Sequence, residues 1–270
     1  MANKIFDNVV ISNEIEDQFN SRIDLMGFVT VDRRLEGTAG MKRKINVYSA
    51  TGSAQKLAMT QGNTQSIEVT YSDKDYEIAL AQSRFIYWDE EEMTDPTAIQ
   101  TGVNYMATNM FNTVNADIYG EFRKATLAVD AAAPDFGAFC DAQALLNSES
   151  VDTMSTFAFV SPSDVADLRK ALNQDLKYVE AYVRNGYVGT VAGTNIYQKK
   201  DAVSGEIILA TSEAVTVFLK RGTEVESTGF GNRSADDANV RKNTVFARKY
   251  YVAALTNATK AVKINVLQSI

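Results

Sequence analysis

One apolar stripe constrains the fold more than any other feature of this chain. Ile99, Val103, Met106, Met110, Val114, Ile118 and Phe122 recur at steps of three or four residues, the spacing that lines side chains up on one face of an α-helix. Asp95 is a good N-cap, and Pro96 suits the first helical position, where its missing N–H costs nothing. The pattern predicts one helix from Pro96 to near Ala125, about 45 Å long at the usual rise per residue and well above the mean helix length. Its other face carries Gln100, Asn104, Asn109 and Asn112, polar but weakly charged. With one apolar side and no coiled-coil charges, such a helix is a spine that lies on a sheet.

Upstream, the stretch Thr51–Ser66, "TGSAQKLAMTQGNTQS", interrupts strand-like sequence. "INVYS" precedes it and "IEVTY" follows it, with Ile67, Val69 and Tyr71 alternating against Glu68 and Thr70. "YEIAL" continues the alternation with Tyr76, Ile78 and Leu80. The interruption is too long for a hairpin turn, and Leu57 and Met59 are its only sizeable apolar groups. Loops of this kind are uncommon in compact domains unless they have a function. The pattern predicts a two-armed ribbon with a polar tip. Two strands alone are marginal in water, and no second apolar layer is evident nearby in the sequence.

Composition excludes several classes of function. The chain has 270 residues, 45% hydrophobic and 23% charged, enough to bury a core. Its net charge of −7 lacks the basic footprint of a nucleic-acid binder. Arg33, Arg34, Lys42, Arg43 and Lys44 form a local basic cluster, expected as a solvated face. There is no histidine and one cysteine, Cys140. These counts remove Ser-His and Cys-His nucleophiles, thiolate zinc clusters and an internal disulfide. No run of about 18 apolar residues exists, so no membrane span is expected, and the first residues do not read as a secretory signal.

The rest of the chain reads as mixed α+β. Ile15, Phe19, Ile23 and Met26 form an amphipathic stripe behind a capping-box pattern at Asn13 and Glu16. That stripe can dock on its own domain or on a neighbouring subunit. Gly137–Leu146 is predicted helical, and Phe157–Val160 a strand feeding a helix capped by Ser161 and opened by Pro162, with Asp164 at the capping-box position. "GTNIYQKK", "GEIILAT" and "AVTVFLK" read as strands, residues 222–243 as a polar surface excursion, and residues 243–266 as a strand, a turn at Thr256–Thr259 and a closing strand.

No catalytic constellation emerges. "DFG" at Asp135–Gly137 lacks the other kinase elements, and "GFGNRS" at Gly229 lacks the strand–turn–helix of a dinucleotide loop. "WDEEEMTD" gathers Asp89, Glu90, Glu91, Glu92 and Asp95 before a helix start. Such acids serve helix-end electrostatics or an intersubunit salt bridge. Paired carboxylates could also bind magnesium or act as acid and base, and that is the enzymatic alternative. No catalytic, cofactor-binding or metal residue is assigned, and no cofactor is expected.

The order of parts resembles the major capsid protein of tailed bacteriophages, the HK97-type fold, over nearly the whole chain. "KINVYSATGSAQKLAMTQGNTQSIEVTYSDKDYEIALA" resembles that family's extended E-loop, and "DPTAIQTGVNYMATNMFNTVNADIYGEF" its spine helix. "FAFVSPSDVADLRKAL" resembles the entry to its axial domain, and "VFARKYYVAALTNATKAVKI" its closing strands. The resemblance implies an α+β HK97-like fold: N-terminal arm 1–30, E-loop ribbon and base 31–82, peripheral domain with the spine helix 83–128, mixed α/β axial domain 129–240, and closing strands 241–270 returning to the peripheral domain. It implies a non-enzymatic homo-oligomer of pentamers and hexamers that forms an icosahedral shell around double-stranded DNA, bound without sequence specificity. The implied location is the virion, after assembly in the bacterial host cytoplasm.

Expected partners are a separate scaffolding protein, a portal and a decoration protein, with no membrane. Expected contacts between subunits are Gln55, Lys56, Leu57, Met59 and Gln61 in the E-loop, and Ile15, Phe19, Ile23 and Met26 in the arm. Candidate salt-bridge groups are Arg33, Arg34, Arg43, Glu90, Glu91 and Glu92. Some family members cross-link an E-loop lysine to an asparagine, and Lys56 is the one lysine in this tip, otherwise a solvated charge. An encapsulin-type compartment shell shares the fold and is the second expectation.

Overall fold

The structure is a computed structural model that describes residues 23–94, 96–146, 156–171, 187–229 and 233–267. Twelve strands among these residues form three sheets. The strands are β1 (Thr30–Asp32), β2 (Lys42–Thr51), β3 (Glu68–Glu77), β4 (Ala79–Trp88), β5 (Leu127–Ala131), β6 (Phe157–Val160), β7 (Tyr187–Val191), β8 (Thr194–Gln198), β9 (Glu206–Ala210), β10 (Val215–Ser227), β11 (Lys242–Leu255) and β12 (Ala261–Val266). A four-stranded sheet runs β1-β10-β11-β4, a six-stranded sheet β5-β12-β9-β6-β8-β7, and β2 with β3 forms a separate ribbon.

The spine helix spans Pro96–Phe122, 27 residues. Val103, Met106, Met110, Val114, Ile118 and Phe122 are buried on it, as the stripe predicts, and Ala107, Phe111, Asn115 and Tyr119 widen that face. Its first half packs on β4 and β11 through Val245, Ala247 and Phe85. There the helix needs a glycine: a Cβ on Gly102 would lie 2.3 Å from the Phe85 ring. Its second half meets both large sheets at once. Ile118 and Phe122 share a core with Phe157, Phe159 and Ile208 of the six-stranded sheet and Val215, Val217 and Tyr251 of the four-stranded one. Phe122 stands edge-on to Phe157 and Phe159, each 5.8 Å away between centroids, a favoured aromatic geometry.

Polar ties fix the same junction. The buried Asn115 accepts from Leu25 N–H and donates to the Ile23 carbonyl, both at 3.1 Å. Tyr251 donates to Asp117 at 2.6 Å, and burial pushes its phenol up in pKa, with Asp117 adding to the shift. Arg123 grips Glu206 through two hydrogen bonds at 2.9 and 3.0 Å, and that guanidinium holds the Glu206 carboxyl below the ordinary carboxylate range. The outer face of the six-stranded sheet is covered by helices Phe136–Leu146 and Pro162–Ala171. Ser161 caps the second, accepting from Asp164 N–H at 3.2 Å. The Asp164 carboxylate accepts from Gly205 N–H at 2.9 Å, locking the helix start to the turn before β9.

Several expectations are corrected. "YEIAL" does not continue the ribbon: β3 ends at Glu77, Ile78 is buried at the bend, and β4 enters the four-stranded sheet. Residues 222–227 are not a surface excursion, because β10 runs on to Ser227 against β11. The expected closing strands of 241–270 divide between two sheets: β11 lies in the four-stranded sheet, and β12 pairs with β5 and β9 of the six-stranded one. The expected N-terminal helix lies mostly outside the described residues, including Ile15 and Phe19. Its end is a single 3₁₀ turn, Leu25–Phe28, capped by Asp24.

Candidate assembly surface

The ribbon projects from the sheets and divides into an anchored base and an exposed tip. Its arms pair antiparallel from Lys42 opposite Glu77 to Thr51 opposite Glu68, about 30 Å of ribbon at ~3.4 Å per residue. At the base Tyr76 stacks on Phe218 with centroids 5.0 Å apart. Ile45 and Tyr76 pack against the cluster Leu35, Ile78, Phe218 and Ala254. This is the second layer that was not evident in the sequence, and it is supplied by β10 and β11, well over a hundred residues downstream. Along the arm Lys42 pairs with Glu77 at 3.3 Å and Lys44 with Asp73. Exposed pairs of this kind contribute little to stability.

Beyond Thr51 only sparse polar bonds hold the tip. Ser53 donates to Gln65 at 3.2 Å, Thr64 N–H donates to Gln55 at 3.3 Å, and Gln61 N–H closes a turn on the Ala58 carbonyl. Gly52 has φ +137°, and a Cβ there would stand 3.1 Å from Ile67 Cα, so a side chain at this entry to the tip is strained. All five expected contact residues, Gln55, Lys56, Leu57, Met59 and Gln61, are exposed. Met59 is 95% exposed. Ile67, Val69 and Tyr71 form an exposed alternating face on the arm.

The expected arm contacts Ile23 and Met26 lie against the chain's own core, beside Leu25 and Val29. For these two residues the own-domain alternative is the one observed. Asp89, Glu90, Glu91 and Glu92 of "WDEEEMTD" lie in a short helix, Asp89–Thr94; Asp95, the expected N-cap, lies outside the described residues. Asp89 is held by Arg233 and Asn243, and Arg233 draws its carboxyl below the ordinary range. Glu90 pairs with Arg241. Glu91 accepts from Trp88 N–H at 3.2 Å, and Glu92 is exposed. Among the described residues, no group of three or more His, Cys, Asp or Glu is placed to hold a metal ion, and no helix is long and apolar enough to cross a membrane.

Arg33, Arg34, Arg43 and Lys44 of the basic cluster line an open cleft of about 690 Å³ between β1, β10 and the ribbon base. Asp32 faces Arg34 at 3.9 Å and Arg43 at 3.7 Å, while Arg33 reaches Glu36 at 4.0 Å. The Arg43 Nε is buried without a hydrogen-bond partner. The sequence marked these residues only as a charged run. Their convergence depends on β1 pairing with β10 at Thr30 and Thr216, which no local pattern announces.

No family model matches the chain. It is 25% identical over 262 residues to the major capsid protein of Staphylococcus phage phiMR11, covering 94% of this chain and 91% of that protein. Its fold is similar to the capsid of Ralstonia phage GP4, with TM-score 0.67 and 8% identity over 90% of this chain and 88% of that one. The capsid of cyanophage P-SCSP1u gives TM-score 0.64 and 14% identity over 90% and 87%. A virus-like particle from Pyrococcus furiosus gives 0.59 and 12% over 94% and 97%. Along nearly its whole length the chain is similar in sequence to a phage major capsid protein, and its ribbon, spine and paired sheets have the HK97-like fold of phage capsids.

Proposed function

We propose that this chain is the shell-forming subunit of a phage head, assembling into pentamers and hexamers that close an icosahedral shell around double-stranded DNA. The observation that supports it is the ribbon tip, a long arm whose apolar groups meet no core in their own chain. Open chains of contacts between unlike surfaces close into rings when the rotation allows, and an arm reaching over a neighbour is such a contact. Leu57 and Met59 lie on the adjacent subunit, flanked by Gln55, Lys56 and Gln61. The role is structural, with the contacts between copies taking the place of an active site. A scaffolding protein is its partner during assembly in the host cytoplasm, and a portal is its partner in the shell. The acidic balance suits a shell that encloses DNA without gripping it.

Electron microscopy of the purified chain, with sedimentation velocity, tests the proposal. The expected result is closed particles or free pentamers and hexamers. Monomers under every condition would contradict it. The likeness to the Pyrococcus furiosus particle supports a second reading, a compartment shell of the encapsulin type. Particles that copurify with a stoichiometric enzyme would favour that reading.

A further inference from the structure

The arginine cleft and the acidic helix Asp89–Thr94 occupy opposite corners of the four-stranded sheet. The cleft lies on the β1 edge, beside Thr216 and Phe218 of β10. The acidic helix leaves the β4 edge directly after Trp88. In register, Phe218 stands opposite Val252 and Trp88 opposite Lys242, so the two sites are separated by about 30 Å along the strands and ~14 Å across them. A helix of six residues spans only about 9 Å. The acids of one chain therefore cannot reach its own cleft.

The two surfaces are complementary in charge, and each carries exposed or cleft-lining apolar groups. In the cleft, Arg33 and Arg34 are 68% and 77% exposed, and their ion pairs stretch to 4.0 and 3.9 Å. Asp32 is shared between Arg34 and Arg43, which leaves a surplus of positive charge on an otherwise acidic chain. Each guanidinium carries five donors, more than these long pairs with Asp32 and Glu36 use. Val31, Ile45 and Phe218 supply an apolar wall. On the helix, Glu91 and Glu92 form no ion pair among the described residues, and Met93 beside them is 83% exposed.

We propose that the acidic helix of one subunit seats in the arginine cleft of a second copy, Glu91 and Glu92 pairing with Arg33 and Arg34 while Met93 covers the apolar wall. The inference rests on the shell reading above. A contact between unlike surfaces at opposite corners propagates head to tail, the kind that closes rings, and it is separate from the ribbon contact.

Charge reversal tests it. R33E/R34E and E91R/E92R are each expected to lower the assembled fraction at least ~10-fold, since like charges brought face to face are costly. The chain carrying all four changes is expected to recover assembly to within about threefold of the parent, in moderate salt where the pairs are only partly screened. Circular dichroism of each unassembled variant checks folding. A second measurement is independent of charge: with Cys140 replaced by Ala, R34C/E92C is expected to give a ladder of disulfide-linked multimers on oxidation of assembled particles, and neither single cysteine is expected to do so. Undiminished assembly of both reversed variants, failure of the fourfold variant to recover, or the absence of the ladder would each overturn the inference. So would normal particles of R33E/R34E that lose retention of a short DNA duplex, which would assign the cleft to phosphate. In all of these outcomes the parent chain still forms particles and the shell reading stands. A parent chain that forms none removes both.

Discussion

The junction of spine and sheets and the tip of the ribbon are built from the same chain by opposite means. At the junction, Phe122, Phe157 and Phe159 interlock within one subunit, and the polar groups beside them, Asn115 and Tyr251, are hydrogen-bonded inside the same chain. At the tip, Leu57 and Met59 face solvent on a loop held by a few exposed side-chain bonds. The first region buries its apolar groups within its own chain. The second gains almost nothing from its own chain, and ordering it costs conformational entropy. If the tip makes the proposed contact with a neighbouring subunit, stability and assembly fall on different residues, and substitutions can separate them.

The largest effect is expected at the junction. Phe122→Ala empties a fully buried site and should cost about 4 kcal/mol, lowering the melting midpoint of the unassembled chain by roughly 10 °C. Thermal unfolding by circular dichroism checks this, and a shift under a few degrees would show that the junction is not a closed core.

Gly102→Ala is expected to cost about 2 kcal/mol, because the new methyl meets the Phe85 ring. At an exposed helix site the same change would be favourable by up to ~1 kcal/mol, so the sign alone is diagnostic. Adding Phe85→Leu should recover most of the loss.

Acid sharpens the comparison further. Arg123 depresses the Glu206 pKa in the folded chain, so this pair stabilises the fold fully above the unfolded carboxylate value of about 4.3. The stabilisation is lost as pH falls through the depressed folded value. Glu206→Gln should therefore destabilise by about 1 kcal/mol at neutral pH, with the difference from the parent shrinking below roughly pH 4. Denaturant unfolding at both pH values measures it.

The smallest effect on the isolated chain belongs to the tip. Leu57→Ser with Met59→Ser should change unfolding by less than about 0.5 kcal/mol while reducing particle yield.

What the sequence disclosed follows from how local each signal was. The spine stripe, strand Phe157–Val160 and the Ser161 cap were legible because their periodicity and capping chemistry lie within a few residues. The polar tip was legible as a loop with nothing to pack on. The layer beneath the ribbon base was not, because Tyr76 meets Phe218 through a sheet assembled from distant strands. The acidic run gave its charges but not its partners: Asp89 finds Arg233 at a separation of 144 residues. The arginine cleft was equally hidden, since β1 has three residues and a parallel partner far along the chain. The need for glycine at Gly102 had no local signal, because it comes from the Phe85 ring packed against the helix.

One measurement bears most directly on the division between a self-sufficient body and a tip that needs another copy. Residues 53–62 are deleted, and parent and deletion chains are compared by thermal unfolding and by sedimentation velocity with electron microscopy. The account predicts a folded monomer that melts within about 2 °C of the unassembled parent and forms no stable shells. Normal particles from the deleted chain would contradict it.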